Sequence, residues 1–373
     1  MSGPAGSGKT TILLYALEEC GIPLENVLFM TYVGQASLVL RLKGLDGRTI
    51  HSTIYELEEE LVRDENGQLI IQNGKPKKKL KWRKVSNLPK HIELIVIDEG
   101  STVPGSIAKD IESFGIKILV VGDLDQLDPV FGSPPYLKDP DAILTKVMRQ
   151  NDERGILDII DLILKENPLK VGKYKKSAII TRDMVTDKIL KNSSIILCGK
   201  NKTRNILNDK LRKLHGRSGQ LPVVGDKLIC RRNNWREEID GIPLVNGMRG
   251  EVVNPIDLST FNTNSKTFRM DFRPEFMKDN YFENLVADYK YLRLPCGSKT
   301  NYKSYGFSNK FEFGYAITTH LSQGSQYPSV LVFEEMLTPK IHKKLMYTGV
   351  SRAEYLVVLV KREKRKQSKS VWV

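Results

Sequence analysis

Residues 3–11 read Gly3-Pro4-Ala5-Gly6-Ser7-Gly8-Lys9-Thr10-Thr11 and satisfy G-x-x-x-x-G-K-[ST] at every fixed position. This spacing makes a phosphate cradle. Glycines at both ends let successive backbone N–H groups turn inward around an anion, the lysine reaches the outermost phosphates, and the Thr10 hydroxyl completes a Mg²⁺ shell. The apolar positions Ile12, Leu13, Leu14, Ala16 and Leu17 continue the loop as a helix whose positive end points at the same anion. The alternative, a Gly-rich turn that merely precedes a helix, is disfavoured because all fixed positions are filled.

Further chemistry is expected at strand ends. Residues 92–97 form an apolar run closed by Asp98-Glu99. A carboxylate at the end of a buried strand beside a phosphate loop holds Mg²⁺, and its neighbour orients the attacking water. A second apolar run, 116–121, is followed by Gly122-Asp123-Leu124-Asp125-Gln126. The Gln126 amide there is placed to bond a γ-phosphate or water and to sense its loss. Thr31 and Tyr32 close the apolar run 27–31, at the edge of a parallel sheet where ligands bind. Arg149 in isolation reads as an ordinary surface charge and Arg352 as a helix-terminal arginine facing the dipole; an arginine just before the last strand can reach across to a nucleotide and neutralise transition-state charge.

The elements that must position these groups follow a βαβ rhythm: a strand at 27–31, a helix at 33–43 closed by Gly44, and strands at 92–97 and 116–121. Residues 56–90 break that rhythm with the turn signals Asn66-Gly67 and Asn73-Gly74 and a basic run around Trp82. They read as a hairpin-bearing insertion. A second α/β unit begins near Asn151, with a helix at 156–164, a strand at 194–198 and a helix at 201–214. Residues 221–307 turn to short strands with Asn246-Gly247, Gly250 and Pro255 between them, which suits a small barrel inserted into the second unit. The α/β pattern returns with strands at 313–318, 329–333 and 355–360 and a helix at 340–348.

The chain has 373 residues, 40% hydrophobic, which is enough for two domains of ordinary size. Its 58 Lys+Arg against 44 Asp+Glu leave a net charge of +14, favouring a polyanionic partner such as nucleic acid. Cys20, Cys198, Cys230 and Cys296 contain no C-x-x-C pair, so neither a zinc site nor a disulfide framework is indicated. A reducing cytoplasm fits, no run is long and apolar enough to span a membrane, and no signal peptide is read.

Taken in order, GPAGSGKTT, TIHS, IVIDEGS, VGDLDQLDPV, LTKVMRQ, TTHLSQGS and YTGVSRA resemble the motif series of the superfamily 1 helicases, most closely the RecD-like and Dda-like branch. The resemblance runs from Gly3 to Val360. It implies an α/β fold of two RecA-like parallel-sheet domains, 1–150 and 151–373, with a hairpin insert at 56–90 and a small β-barrel insert at 221–307. It further implies ATP and Mg²⁺ at the domain junction, contacted by Lys9, Thr10, Asp98, Glu99, Gln126, Arg149, Gly324 and Arg352. Single-stranded or forked DNA would lie on Thr31, Tyr32, His51, Ser52, Trp82, Thr319, His320 and Gln323, some of which would instead couple the strand to ATP. The expected activity is ATP-driven, 5′→3′ movement along DNA in the cytoplasm of a bacterial or phage-infected cell, with the hairpin as the strand-separating pin. A viral-type RNA helicase and a nucleic-acid-binding protein with a degenerate ATP site are the rival readings.

Three positions depart from the family. Leu321 stands where a lysine usually follows the histidine, and Gln326 where a glutamate often contacts ribose. Only Met1 and Ser2 precede the loop, so the strand that normally leads into it is missing. The expectation is an empty slot flanked by the strands ending at Thr31, Asp98 and Gly122, a truncated N-terminus, and poor adenine selectivity.

Overall fold

Gly8 takes a left-handed conformation, φ 83°, which a residue without a Cβ adopts at little cost, and the chain turns there into α1 (Lys9–Glu19). Leu13 and Leu17, one turn apart on its inner face, are buried against β1 (Val27–Thr31), whose five residues are all buried. Next, α2 (Gly34–Leu42) ends where Gly44 reaches φ 81°. The N–H groups of Gly44 and Leu45 close on the Arg41 and Leu40 carbonyls at 2.9 and 3.1 Å, satisfying helix-end acceptors. After β2 (Arg48–Thr49), the Thr49 hydroxyl accepts from the Ser52 N–H and caps α3 (Ile50–Ile54).

The computed structural model describes residues 1–362 apart from 73–74, 77, 130–131, 133, 149–153, 258, 260, 262–265 and 294–307. Arg149 and the basic tail beyond residue 362 therefore lie outside the described residues.

The insertion expected at 56–90 is an antiparallel ladder. β3 (Tyr55–Leu61) pairs with β6 (Lys78–Lys84), from Tyr55 opposite Lys84 to Leu61 opposite Lys78, and β4 (Ile71–Gln72) pairs with β5 (Lys75–Pro76) near its tip. The chain then returns to the parallel sheet through β7 (Leu94–Asp98), α4 (Gly105–Glu112) and β8 (Lys117–Val120). The order is β2-β1-β7-β8, and the register sets Thr31 beside Asp98, so both end at one edge. One face is covered by α3 and α4 through Ile50, Ile54, Ala108 and Ile111, the other by α1 and α2 through Leu13, Leu17 and Leu40. Burial on both faces is why these strands read as unbroken apolar runs.

The empty slot expected between strands is not there. β1 pairs with β7 and β7 with β8 without a gap, and the position beyond β8 is taken by residues 1–3. The Met1 ammonium donates to the Val120 carbonyl at 2.8 Å and the Gly3 N–H to that of Gly122 at 3.0 Å. On the other side, Ser2 exchanges 2.8 Å bonds with Ala142 and Leu144. Backbone groups buried here need partners, and three residues bonded on both sides seat the start of the phosphate loop.

The second half begins with α5 (Ile156–Leu164), β9 (Gly172–Tyr174), β10 (Ser177–Ile180), α6 (Asp187–Asn192), β11 (Ile195–Cys198) and α7 (Asn201–Leu214). An antiparallel segment follows: β12 (Lys227–Cys230), β13 (Asn234–Ile239), β14 (Ile242–Leu244), β15 (Arg249–Val252), β16 (Thr267–Pro274), β17 (Phe282–Asp288), α8 (Tyr289–Arg293) and β18 (Phe311–Phe313). The chain closes with β19 (Ala316–Thr318), β20 (Tyr327–Phe333), α9 (Pro339–Val350) and β21 (Ala353–Val360). The parallel sheet is ordered β19-β11-β20-β21-β10-β9, with only β9 antiparallel.

In the antiparallel sheet the order is β17-β16-β15-β12-β18. Asn309, just ahead of β18, bridges to Ala287 in β17, so the two edges meet. The strand read at 313–318 is two strands in two sheets, divided at Gly314. A Cβ there would lie 2.9 Å from the Leu228 carbonyl, so the crossing requires glycine. Two buried ion pairs fasten this sheet to α7. Arg204 meets Glu312 at 2.6 Å, and Arg212 meets Asp226 at 2.9 Å.

The two halves also touch through α2. Leu38, only 1% exposed, packs into the core of the antiparallel segment with Leu244, Val245 and Met248. Arg41 donates to the Gly241 carbonyl at 3.1 Å, so the β13–β14 hairpin lies along the helix.

Candidate nucleotide site and adjoining aromatic face

The phosphate loop opens into a cavity of about 330 Å³ whose walls come from both halves of the chain. Ala5, Gly6, Ser7, Gly8, Lys9, Thr10 and Thr11 form one wall, Asp98, Glu99 and Gln126 the floor, and Gly324 and Arg352 the opposite side. Gly3 and Pro4 serve from behind: their carbonyls accept from Lys9 Nζ at 2.8 and 2.9 Å. A Cβ on Gly3 would lie 2.8 Å from Ser7 Oγ, and one on Gly324 2.8 Å from the Ala36 Cβ, so both close approaches need glycine.

Asp98 and Glu99 follow one another at the end of β7, with the Glu99 N–H donating to Asp98 Oδ1 at 2.9 Å. Burial pushes both carboxyl groups above the usual carboxylate range. For Glu99 the strongest opposing influence is Arg352; for Asp98 it is the bond from Glu99, then Lys9 and Lys43. Two adjacent, half-buried acids on the cavity floor favour a cation. Thr10 and Asp98 offer hard oxygen donors, and the described residues contain no cluster of three or more His, Cys, Asp or Glu that would cage a metal by protein alone. That donor set suits Mg²⁺, which is held by one or two protein groups with phosphate and water supplying the rest.

Arg352, 2% exposed, approaches from the end of α9. Its guanidinium donates to the carbonyls of Thr348 at 3.2 Å and Ser325 at 3.3 Å and to Ser351 Oγ at 3.2 Å. Gln126 is held by Asp123, Nε2 to Oδ2 at 3.1 Å. Sequence reasoning missed Lys43, whose Nζ lies 3.4 Å from Thr10 Oγ1, and the side chains of α9 that grip residues 123–128. Tyr347 donates to Asp123 at 2.8 Å, Leu127 N–H donates to Thr348 at 3.0 Å, and Lys344 pairs with Asp128 at 2.6 Å. Tyr347 and Thr348 fall within the run YTGVSRA, whereas Lys43 and Lys344 belong to no motif.

A larger cavity of about 770 Å³ adjoins the first and shares Val39 and Gln326 with it. Most of its charges are paired: Lys227 and Arg273 on Glu251, Arg249 on Glu275. It has no phosphate loop, so triphosphate chemistry belongs to the smaller cavity.

The residues read for a nucleic-acid strand divide into two groups. Tyr32 and His51 lie with ring centroids 5.5 Å apart, and His51 sits 6.4 Å from Trp82 and 5.5 Å from Tyr55, a member the sequence did not suggest. Trp82 is 52% exposed, and burial lowers the His51 pKa, which keeps that ring neutral and suited to stacking. Ser52 is exposed, with its hydroxyl turned back to the Thr49 carbonyl, and His320 is half-buried. Thr31, Thr319 and Gln323 are buried instead. Thr31 bonds the Val33 carbonyl at 2.9 Å, Thr319 that of Cys198 at 3.4 Å, and Gln323 that of Leu127 at 3.0 Å. Buried polar groups take internal partners, so these three offer no open surface.

Residues 1–183 match the AAA domain family model, and residues 313–360 match that of the UvrD-like helicase C-terminal domain. Pif1 of Bacteroides bound to ssDNA aligns with a TM-score of 0.54 and 18% identity, covering 96% of this chain and 87% of that one. The chain shares the fold of Pif1. Pif1 helicase of Candida albicans shares it, with a TM-score of 0.53 and 16% identity over 97% of this chain and 91% of its own. Among sequence relatives, the uncharacterized protein MJ1519 of Methanocaldococcus jannaschii is 25% identical over 97% of this chain, and the chain spans 36% of its length. The uncharacterized protein R530 of Acanthamoeba polyphaga mimivirus is 23% identical over 94% of this chain and 92% of its own length. No helix among the described residues is long and apolar enough to cross a membrane.

Proposed function

We propose that this chain carries an ATP-hydrolysing DNA helicase motor that moves 5′→3′ along a single strand. The observation that carries the reading is the composite cavity, in which the phosphate loop and acidic pair of one half face Gly324 and Arg352 of the other. In such a site ATP draws the halves together, and hydrolysis lets them part. Lys9 binds the outer phosphates, Thr10 and Asp98 hold Mg²⁺, Glu99 orients and deprotonates the attacking water, and Arg352 meets the charge that develops on the transferred group. Mg²⁺, when bound, neutralises phosphate charge and fixes the triphosphate.

The domain reading follows the sheets: a first RecA-like domain over 1–150 with the 56–90 hairpin, and a second over 151–373 interrupted by a small barrel from 221. The pairing of β18 with β12 in the antiparallel sheet supports a barrel that runs from 221 to about 307 and takes in β18. The half-buried ring of Tyr32 and the exposed ring of Trp82 stack bases, the net charge of +14 supplies salt-sensitive affinity, and the hairpin splits the fork. Solved Pif1 structures include one at forked double-stranded DNA and one with ADP-AlF3 and ssDNA, which supports the same substrate classes here.

The test is ATP turnover with and without single-stranded DNA, followed by unwinding of duplexes carrying only a 5′ or only a 3′ tail. DNA-stimulated turnover and unwinding from the 5′ tail are expected. Stimulation by RNA alone would favour the viral-type reading, and absence of turnover the degenerate-site reading.

A further inference from the structure

We infer that Asp123 and Tyr347 are positioning residues that set the orientation of the Gln126 amide, so that its oxygen rather than its nitrogen is available to the nucleotide cavity. The inference rests on the hydrolytic reading of that site and deepens it. Gln126 is 2% exposed and lines the cavity, with Nε2 donating to Asp123 Oδ2 at 3.1 Å. An ionised carboxylate only accepts hydrogen bonds, so it fixes which end of the amide faces it. Asp123, also 2% exposed, is itself fixed: Oδ1 accepts from the Asp125 N–H at 3.1 Å and Oδ2 from the Tyr347 hydroxyl at 2.8 Å. The remaining branch, Gln126 Oε1, is buried and has no partner among the described residues.

An acceptor in that position does not pair with a phosphate oxygen, which is also an acceptor. It pairs with an O–H donor. The water that attacks the γ-phosphorus is one: its oxygen forms the new P–O bond while the bond to the β–γ bridging oxygen breaks, with that electron pair leaving on ADP. One water proton passes to Glu99, and Gln126 Oε1 accepts a hydrogen bond from the other, which aligns the water without taking a proton.

The anchor comes from the other half of the molecule. One stretch at the end of α9 carries Tyr347 to Asp123, Thr348 to the Leu127 N–H, and Arg352 to the cavity. When α9 withdraws, Arg352 leaves the nucleotide and the Gln126 amide loses its orientation together. Hydrolysis is thereby confined to the closed arrangement.

The test is Tyr347→Phe, which removes one hydroxyl and keeps the ring. Loss of a hydrogen bond to a charged group predicts a fall in kcat of roughly ten- to a hundredfold. The KM for ATP and the affinity for a fluorescent ATP analogue should change far less than kcat, since Tyr347 touches the phosphate loop only through its bond from the Ala5 N–H and leaves Lys9 and Thr10 in place. Combining Tyr347→Phe with Gln126→Ala should reduce kcat no further than Gln126→Ala alone, because both act through one amide. Asp123→Asn, which offers the amide a donor as well as an acceptor, should reproduce the kcat loss and serves if Tyr347→Phe does not fold. An unchanged kcat in either variant, an equal loss in KM, or multiplicative losses in the double variant would overturn the relay alone. A wild-type chain without ATP turnover would overturn the hydrolytic reading and the relay with it.

Discussion

Leu38→Ala tests whether the docking of α2 onto the antiparallel segment helps hold the two halves together. Leu38 belongs to a helix of the nucleotide-binding half, yet it is 1% exposed in the core formed with Leu244, Val245 and Met248. Truncating a leucine so placed costs about 2–5 kcal/mol, depending on how far the surroundings relax. At roughly 1.4 kcal/mol per factor of ten, the ratio of docked to undocked molecules should fall by about 30-fold or more. Neighbouring contacts limit the effect: Arg41 still bonds the Gly241 carbonyl, and α2 still passes Gly324 at Ala36. Because Val39 and Ala36 line the nucleotide cavity, looser docking should raise the KM for ATP more than it lowers kcat at saturation. Small-angle scattering would read the docking directly, as a larger radius of gyration without nucleotide that contracts when a non-hydrolysable ATP analogue is added. An unchanged scattering profile together with an unchanged KM would refute the idea that this contact controls closure.

Lys9→Ala should weaken ATP binding, whereas Glu99→Gln should retain binding and stall turnover; appreciable hydrolysis by Glu99→Gln would remove Glu99 from its assigned role. Arg352→Ala should cut turnover by about 10³-fold or more while affecting nucleotide affinity less, with paired measurement of kcat and nucleotide Kd as the check. Deleting residues 67–81 should spare DNA-stimulated ATP turnover and impair unwinding of forks, and preserved unwinding would place strand separation elsewhere. His342 donates to Glu334 across 3.2 Å, and this bond raises the histidine pKa, against burial and Arg362, while the Glu334 pKa is lowered chiefly by His342 in opposition to its own burial. The histidine's contribution to stability is complete below its ordinary value and lost as pH rises through its raised value; that of Glu334 is complete above its ordinary value and lost as pH falls. The melting-temperature gap between wild type and His342→Gln should therefore be wider at pH 5.5 than at pH 8.5.

The parts of the site that could be read from sequence are those whose chemistry is local. The phosphate loop, the strand-end pair Asp98-Glu99 and Gln126 each announce themselves within a few residues, because strand, turn and functional group are contiguous. The α2 boundary was legible for the same reason, since Gly44 marks the helix end. What depends on distant segments meeting was not legible. Nothing near Tyr347 says that its hydroxyl reaches Asp123, and nothing in α2 says that Leu38 enters the core of a segment two hundred residues on. Residues 313–318 alternate as one strand would; the division at Gly314 is imposed by the Leu228 backbone crossing it. Thr31 at a strand end and Thr319 and Gln323 around the turn after β19 carry polar side chains, and only burial reveals that their partners are carbonyls of the protein itself.

The strand order of the second sheet has a consequence for how the chain reaches its native state. β11 is flanked by β19 and β20, and β10 has β21 as its parallel partner, with Ala178 paired to Val358. Strands written early in this half thus wait for neighbours made after the whole antiparallel segment has been threaded between them. Contacts so far apart in sequence close slowly. In the meantime β10 and β11, nearly all apolar, have open edges of the kind that recruit other chains. The first half, whose strands lie within about 120 residues of each other, can fold ahead of it. On refolding from denaturant, nucleotide binding should return before DNA-stimulated turnover, and losses to aggregation should concentrate in the interval between the two.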